Sequence, residues 1–519
     1  MRSSIIVGML ALLLWPGLAR AEWLEASSDH FVIYADDSER DVRRFSEQLE
    51  RYHAGMALLL GSEAPPPSPS NRVTVYVVRN ENAVRKLHGG DSRFVAGFYV
   101  PRAGGSLAIV PQVNSGTGRP EFSMVVLLHE YAHHFLISSN TMEMPRWLSE
   151  GSAEFFASTS FERDGSIIMG RAAAHRAGEL YYANDVRVAD LLDPTEYEKR
   201  SRRSQDAFYG KSWLLCHYLT FEETRKGQLT RYLALLRRGE SQRDAALEAF
   251  GDPDKLEKEL DRYLAKPRIM ALNLKPSMLS IGSVRIRRLS EGEAAMMPVR
   301  IRSKRGVNEE EAGELVVQAR EIAARFPGDA AVLSSLAEAE YDAGDDKEAI
   351  AAADAALALD PDKVNAYVQK GYALFRLAAE ADDPATAYKR ARAPFVALNH
   401  RENDHPLPLI YYYRSFVEQG KSPPPLAVSG LIRAVELAPF DLGLRMNLAT
   451  ALIRLGRSDE ARIALRPVAF NPHGGALAKS ARTMLTRLDN EPAWKGENLE
   501  TILASAGGDE EQESGAPPR

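Results

Sequence analysis

Apolar positions recur in three rhythms along this chain of 519 residues. The first is a short alternation, apolar then polar, which marks half-buried strands. It appears at Asp29–Tyr34, Arg72–Val78, Val95–Val100 and Ser106–Val110, the last two joined by the turn Pro101–Gly105. The second is helical spacing. It predicts helices over Ser38–Leu60 with Ser38 as N-cap, over Glu121–Ile137 and over Pro145–Thr159. More follow at Val186–Leu192, Gln205–Glu223, Leu229–Arg237, Ser241–Phe250 and Asp254–Leu264. Strands followed by helices in this order predict an α+β domain, a small mixed sheet with a helical lobe. Past Pro267, two further strands are expected at Met278–Leu289 and Met296–Ile301, paired as a hairpin around Ser290–Glu293.

The third rhythm is a long one. Phe326-Pro327-Gly328-Asp329 is echoed by Leu359-Asp360-Pro361-Asp362, and Pro439 and Pro472 stand 33 residues apart. Ala330–Pro361 and Leu442–Pro472 each read helix, Gly-containing turn, helix, with Asn365–Leu398 a further copy and Leu409–Leu437 a divergent one interrupted at Ser422–Pro425. This pattern resembles tetratricopeptide repeats, which have a period of about 34 residues. Each helix pair leaves an apolar face that only its neighbour can bury, so the copies stack into a solenoid. Such an array implies a surface for a protein or peptide partner, or else a structural extension of the domain before it. The expected organisation is therefore 1–21 a signal peptide, 22–266 the α+β domain, 267–306 a linker with short strands, 307–500 the repeats and 501–519 an acidic, disordered tail. Cutting the chain beyond Ser303 is expected to leave the first domain intact.

The start of the chain changes the setting. Arg2 precedes an apolar run from Ile5 to Leu18, and Ala19-Arg20-Ala21 has the small-x-small form of a cleavage site. The run is shorter than the roughly 20 apolar residues a membrane span needs, so removal after Ala21 is expected rather than anchoring. The protein is then exported, to the periplasm or the medium, with no transmembrane segment in the mature chain. Losing Arg2 and Arg20 takes the formal charge from −6 to −8. Without a basic surface, nucleic acid is excluded as the main partner. The one cysteine, Cys216, lies in an apolar helix and reads as a small buried side chain rather than a nucleophile. An exported chain without disulfides must be held by packing or by packing and metal together.

Chemistry concentrates at His129-Glu130-Tyr131-Ala132-His133, an H-E-x-x-H sequence on a predicted helix. Residues four apart share a helix face, so His129 and His133 can present two imidazoles to one ion. Catalytic zinc commonly takes three protein ligands and leaves the fourth position to water. Glu150, 17 residues after His133 and beyond a turn around Asn140 and Pro145, is a candidate third ligand. Glu130 is rotated by about 100° from His129 and can act as general base toward a zinc-activated water. One Zn2+ per chain is therefore expected. Glu154 shares a helix face with Glu150, and it or Asp206 could accept a hydrogen bond from a ligand histidine. Gly151 would let two helices approach closely. His134 points away from the ligand face and reads as structural, while His30, His53 and His88 read as surface or capping residues. His175, Arg171 and His217 read as surface or packing residues, and the basic run Lys199–Arg203 as a solvated loop. Ser106–Val110 could pair with an extended substrate if it were a sheet edge, or could be enclosed on both sides.

These residues resemble the gluzincin metallopeptidases, the class that contains thermolysin and aminopeptidase N. Trp147-Leu148-Ser149-Glu150-Gly151-Ser152-Ala153 is similar to the W-L-x-E-G-x-A segment of the aminopeptidase N branch. The resemblance implies His129, His133 and Glu150 as zinc ligands and Glu130 as the catalytic base. Phe208-Tyr209-Gly210-Lys211-Ser212-Trp213 is similar to the region that carries an oxyanion-stabilising tyrosine there, which nominates Tyr209 as catalytic. The interval between His133 and Glu150 is two residues shorter than usual in that branch. The G-x-M-E-N segment that grips a free amino terminus is missing, so aminopeptidase specificity is not implied. The expectation is an exported zinc metallopeptidase acting on polypeptide, with repeats that dock substrate or partner. A catalytically silent gluzincin-fold scaffold whose repeats mediate protein–protein contact is the alternative, and hydrolysis of a non-peptide amide a third possibility.

Overall fold

The computed structural model describes residues 23–62, 64–89, 95–112, 116–139, 144–183, 185–193, 207–471 and 474–503. The expected signal peptide, Lys199–Arg203, Asp206 and the stretch from Ala504 lie outside the described residues.

The chain opens with strands β1 (Trp23–Ser27) and β2 (Phe31–Asp36), then helix α1 (Glu39–Leu60), capped by the Ser38 side chain. Next come β3 (Val73–Val78), α2 (Glu81–His88), β4 (Phe98–Val100) and β5 (Leu107–Pro111). The helix pair α3 (Phe122–Ser139) and α4 (Arg146–Ala157) follows, then β6 (Ser160–Phe161), β7 (Ile167–Met169), α5 (Ala177–Tyr182) and α6 (Val188–Leu192). The helical lobe continues with α7 (Phe208–Phe221), α8 (Gln228–Arg237), α9 (Gln242–Phe250) and α10 (Pro253–Leu264). Strands β8 (Leu272–Leu274) and β9 (Arg285–Arg288) and helix α11 (Glu291–Arg305) lead to the solenoid.

Six strands form one mixed sheet in the order β4-β5-β3-β2-β1-β9. Strands β2, β3 and β5 run parallel, and β1, β9 and β4 pair antiparallel at the flanks. The sheet is covered on both faces, as its apolar strands require. Phe31, Ile33, Val75 and Val110 point to α1 and α3, while Tyr34, Tyr76, Leu107 and Ile109 point to α2 and α11. β5 is not an edge: it lies between β3 and β4. The short strand β4 is the edge on this side, so Ser106–Val110 cannot offer its backbone to a substrate.

The expected hairpin past Pro267 also resolves differently. β8 joins a small sheet with β6 and β7, whereas β9 closes the far edge of the main sheet beside β1. Met296–Ile301 is helical, not a strand, within α11. A capping box built from Ser290 and Glu293 starts that helix. Its apolar residues serve two cores. Met297 and Ile301 pack beneath the main sheet, and Met296 and Val299 join Leu315, Ala319 and Val332 of the next helices. An alternating reading mistook this two-sided burial for a strand. A cut after Ser303 would leave Met297 and Ile301 on the sheet but remove the helices that cover Met296 and Val299 on the other side of α11.

The solenoid is a run of antiparallel helix pairs. α12 (Glu309–Arg325) pairs with α11, and the later pairs are α13 (Ala330–Asp342) with α14 (Asp346–Leu359) and α15 (Val364–Ala379) with α16 (Pro384–Arg401). Then come α17 (Pro406–Val417) with α18 (Pro425–Leu437), α19 (Leu442–Arg454) with α20 (Ser458–Ala469), and a last helix, α21 (Ala476–Asn490). Small residues permit the close packing: Ala337, Ala339, Ala349, Ala353 and Ala356 are fully buried. In the interrupted copy the turn between the two helices runs to Pro424, and Pro425 opens α18.

Candidate metal centre

Helices α3 and α4 carry the centre. α3 is apolar on nearly every side and is threaded through the core, with Leu128, Ala132 and Phe135 buried. α4 is fixed by Trp147, which is buried against Tyr232 and Phe250. Full burial of a side chain of this size contributes about 3 kcal/mol. Gly151 is the contact point of α4 with α7: a Cβ there would lie 2.4 Å from the backbone oxygen of Ser212. The expected close approach is real, and it sets α7, with Tyr209, beside Glu150.

His129, His133 and Glu150 come together as expected, all buried. The Nε2 atoms of His129 and His133 are 3.1 Å apart, and each lies 3.3 Å from Oε2 of Glu150. Ligand atoms about 2.0–2.1 Å from a tetrahedral zinc ion would be separated by about 3.3 Å, so the triangle has the size of a zinc ligand face. The other Glu150 oxygen, Oε1, is buried without a hydrogen-bond partner in a side chain with no exposed surface. A buried carboxylate oxygen left this way is costly unless something positive approaches it. The donor set and the orphaned oxygen both fit Zn2+.

The surrounding groups orient the ligands. His129 Nδ1 stands 3.2 Å from Oε1 of Glu154, and His133 Nδ1 stands 3.3 Å from Oγ of Ser149. Glu154, expected as one of two alternatives, thus occupies the outer position, while Asp206 lies outside the described residues. Glu154 in turn accepts from Arg176 at 2.6 Å and contacts His175 Nε2 at 2.5 Å. His175 had read as a surface or packing residue, and Arg176 carried no sequence signal. Both lie in an otherwise small-residue stretch, and only the folded chain joins them to α4.

The electrostatics follow from this packing. Burial opposes charge on His129, but hydrogen bonds to Glu150 and Glu154 outweigh it and raise its pKa to about 10. Burial also opposes charge on Glu150, yet its contacts with His129 and His133 hold its carboxyl well below the usual range. Glu154 is likewise held low despite burial, by His129, His175 and Arg176. Two buried carboxylates, from Glu150 and Glu154, thus flank His129.

Glu130 is half-buried on α3, and its charge reaches the Tyr99 phenol of β4. The Tyr209 ring is 6.4 Å from that of His129, and the Arg176 guanidinium stacks on it at 4.7 Å. Burial and the nearby Glu150 charge push the Tyr209 phenol up to about 12, tempered by Arg146 and Arg176. Tyr209 therefore keeps its proton at neutral pH. Arg146, at the start of α4, is a second cation that sequence reasoning missed.

His30, His53, His134 and His217 lie in the interior rather than at the surface. His134 is half-buried with Nδ1 2.6 Å from the Tyr99 hydroxyl, which agrees with a structural role, and desolvation by its neighbours lowers its pKa to about 3. His30 and His53 stack at 3.5 Å behind α3, with His30 hydrogen-bonded to Glu50 and His53 to Tyr131. His217 is fully buried against Tyr263 and the carbonyl of Gly170. Arg171 donates to Ser160. Cys216 is buried, and burial raises its thiol to about 11, which agrees with a packing role.

Residues 124–239 match a family described as a protein of unknown function, DUF1570. The matched stretch holds His129, Glu130, His133, Glu150, Glu154, Arg176 and Tyr209. No curated protein matches the chain. Among solved structures, the chain is similar to TTC0263, a thermophilic TPR protein of Thermus thermophilus, at 17% identity and a TM-score of 0.28, over 41% of this chain and 93% of that one. MamA 41-end from Desulfovibrio magneticus RS-1 matches at 17% identity and a TM-score of 0.26, over 39% of this chain and 97% of that one. Yeast Tom70 matches at 15% identity and a TM-score of 0.29, over 63% of this chain and 62% of that one.

Proposed function

We propose that this chain is an exported zinc metallopeptidase of the gluzincin type, whose helical repeats dock a polypeptide substrate or protein partner. The observation that carries the reading is the buried triangle of His129, His133 and Glu150, with ligand atoms 3.1–3.3 Å apart and one carboxylate oxygen left unpaired. Zinc, when bound there, supplies a Lewis acid and lowers the pKa of water toward neutrality.

The chain's own residues divide the remaining work. Glu130 takes the proton of the attacking water and delivers it to the leaving amine. Tyr209 donates its phenolic proton in a hydrogen bond to the oxygen that gains charge, and it does so as a neutral group because its pKa is high. Arg176 holds both sides of this arrangement, through Glu154 to His129 and by its stack on Tyr209. Export rests on the sequence of residues 1–21. No helix among the described residues is long and apolar enough to cross a membrane.

A second reading is supported by the helix pairs that fill the second half of the chain. In that reading the zinc-peptidase fold is a silent scaffold and the repeats mediate protein–protein contact. The two are separated by metal analysis and hydrolysis of a peptide library, with wild type and Glu130→Gln compared. The enzyme reading expects about one zinc per chain in both proteins and hydrolysis lowered about 10²–10⁴-fold in the variant. Tyr209→Phe should keep zinc and lose about 10²–10³-fold in turnover. No zinc in wild type, or equal cleavage by wild type and Glu130→Gln, would contradict it. Zinc without cleavage by wild type would favour the scaffold.

A further inference from the structure

One side of the solenoid carries the turn between β4 and β5: Ala103 packs against the repeat core, and its backbone N–H donates to Oδ2 of Asp441 at 2.8 Å. Gly104, with φ +81°, lies so close to α17 that a Cβ would be 2.8 Å from the Leu407 side chain. Arg102 donates to the carbonyl of Lys304 in α11. A second patch supports the same side, where Ser70 bonds to Glu402 through both its backbone N–H and its hydroxyl.

One corner touches both α3 and the β4–β5 turn. Asp441 caps α19 with Oδ1, which accepts from Leu444 N–H at 2.8 Å, while Oδ2 holds Ala103. The adjacent Phe440 ring lies 4.4 Å from His134, the residue after the ligand His133. His134 is bound in turn to Tyr99 of β4. β4 has three residues and pairs with β5 alone, so its own ladder is a weak anchor.

We propose that Phe440 and Asp441 are positioning residues of the metal centre, through which the repeat domain fixes the edge strand β4 and its Tyr99 against α3. Tyr99 joins β4 to His134 on the helix that carries Glu130, so this corner sets where β4 sits beside that helix and, through it, how an extended chain is held. The proposal rests on the peptidase reading for its kinetic consequence only.

The test uses the full chain. Asp441→Asn keeps an oxygen to cap α19 and replaces the acceptor of the Ala103 N–H by a donor. Gly104→Ala disturbs the same contact from the other side without touching the cap. In both variants, hydrogen exchange at residues 98–111 should quicken about tenfold while that of 442–454 is unchanged. Zinc content should stay as in wild type. KM for extended peptides should rise with kcat little changed. Unchanged exchange at 98–111, or exchange accelerated equally over the whole chain in both variants, would overturn the proposal. If wild type cleaves nothing, the peptidase reading fails by itself, and the exchange result still decides whether the corner holds β4.

Discussion

The two halves of this molecule place their charges differently. In the first, Glu150 and Glu154 are buried to 0% and 1% exposure and meet two buried histidines and Arg176. In the second, alanine is the commonest buried apolar residue, ion pairs such as Arg320–Asp345 and Arg433–Glu436 lie toward solvent, and the buried acids Glu338, Glu340 and Asp346 each pair with a partly exposed cation. Interior charge is stable only when every partner is present, because each group left alone carries the full cost of desolvation. Exposed pairs are worth little and can be lost singly. The first half therefore depends on a few side chains from distant parts of the chain. The second depends on a period and on small residues, and no single one of them organises the rest.

That contrast can be pressed experimentally. The largest expected effect is at Glu154. Glu154→Gln keeps the side-chain shape and removes the charge that orients His129 and neutralises Arg176, so zinc affinity should fall about 10–100-fold in a chelator competition. Unchanged affinity would show that the buried carboxylate is not part of the centre. A pair of identical substitutions then compares the halves directly. Gly151→Ala forces a Cβ against the backbone of Ser212, which cannot move aside as a side chain can. It should lower the stability of the first half by about 1–3 kcal/mol in denaturant unfolding. Gly313→Ala, on the exposed side of α12 with nothing within 4 Å of the new Cβ, should raise stability by about 0.5–1 kcal/mol. Two shifts of the same sign would contradict the account of how α4 and α7 are held.

What could be read from the sequence follows the same division. The repeats were legible because period, turn glycines and helix caps are local, and Asp329 and Asp441 cap helices within the motifs that marked the copies. His129, His133 and Glu150 were legible because helical spacing alone brings the imidazoles together and one turn returns the carboxylate. His175 and Arg176 were not, since nothing in their neighbours announces a contact with Glu154 more than twenty residues earlier. The edge position of β4 was hidden for a related reason: strand order is a property of the whole sheet, and an apolar strand reads alike at its centre or its margin. Helix α11 misled because its apolar residues face two cores at once, which blurs the helical period. The seat of the β4–β5 turn on the solenoid lies furthest from any sequence pattern, joining Ala103 to Asp441 across 338 positions.

The central claim is that three buried side chains form a zinc site, and the metal content of the purified full chain tests it most directly. Wild type should carry about one zinc per chain, and Glu150→Ala, which removes one of three protein ligands, should carry far less under the same conditions. Wild type without zinc, or a Glu150→Ala variant that holds as much as wild type, would contradict it.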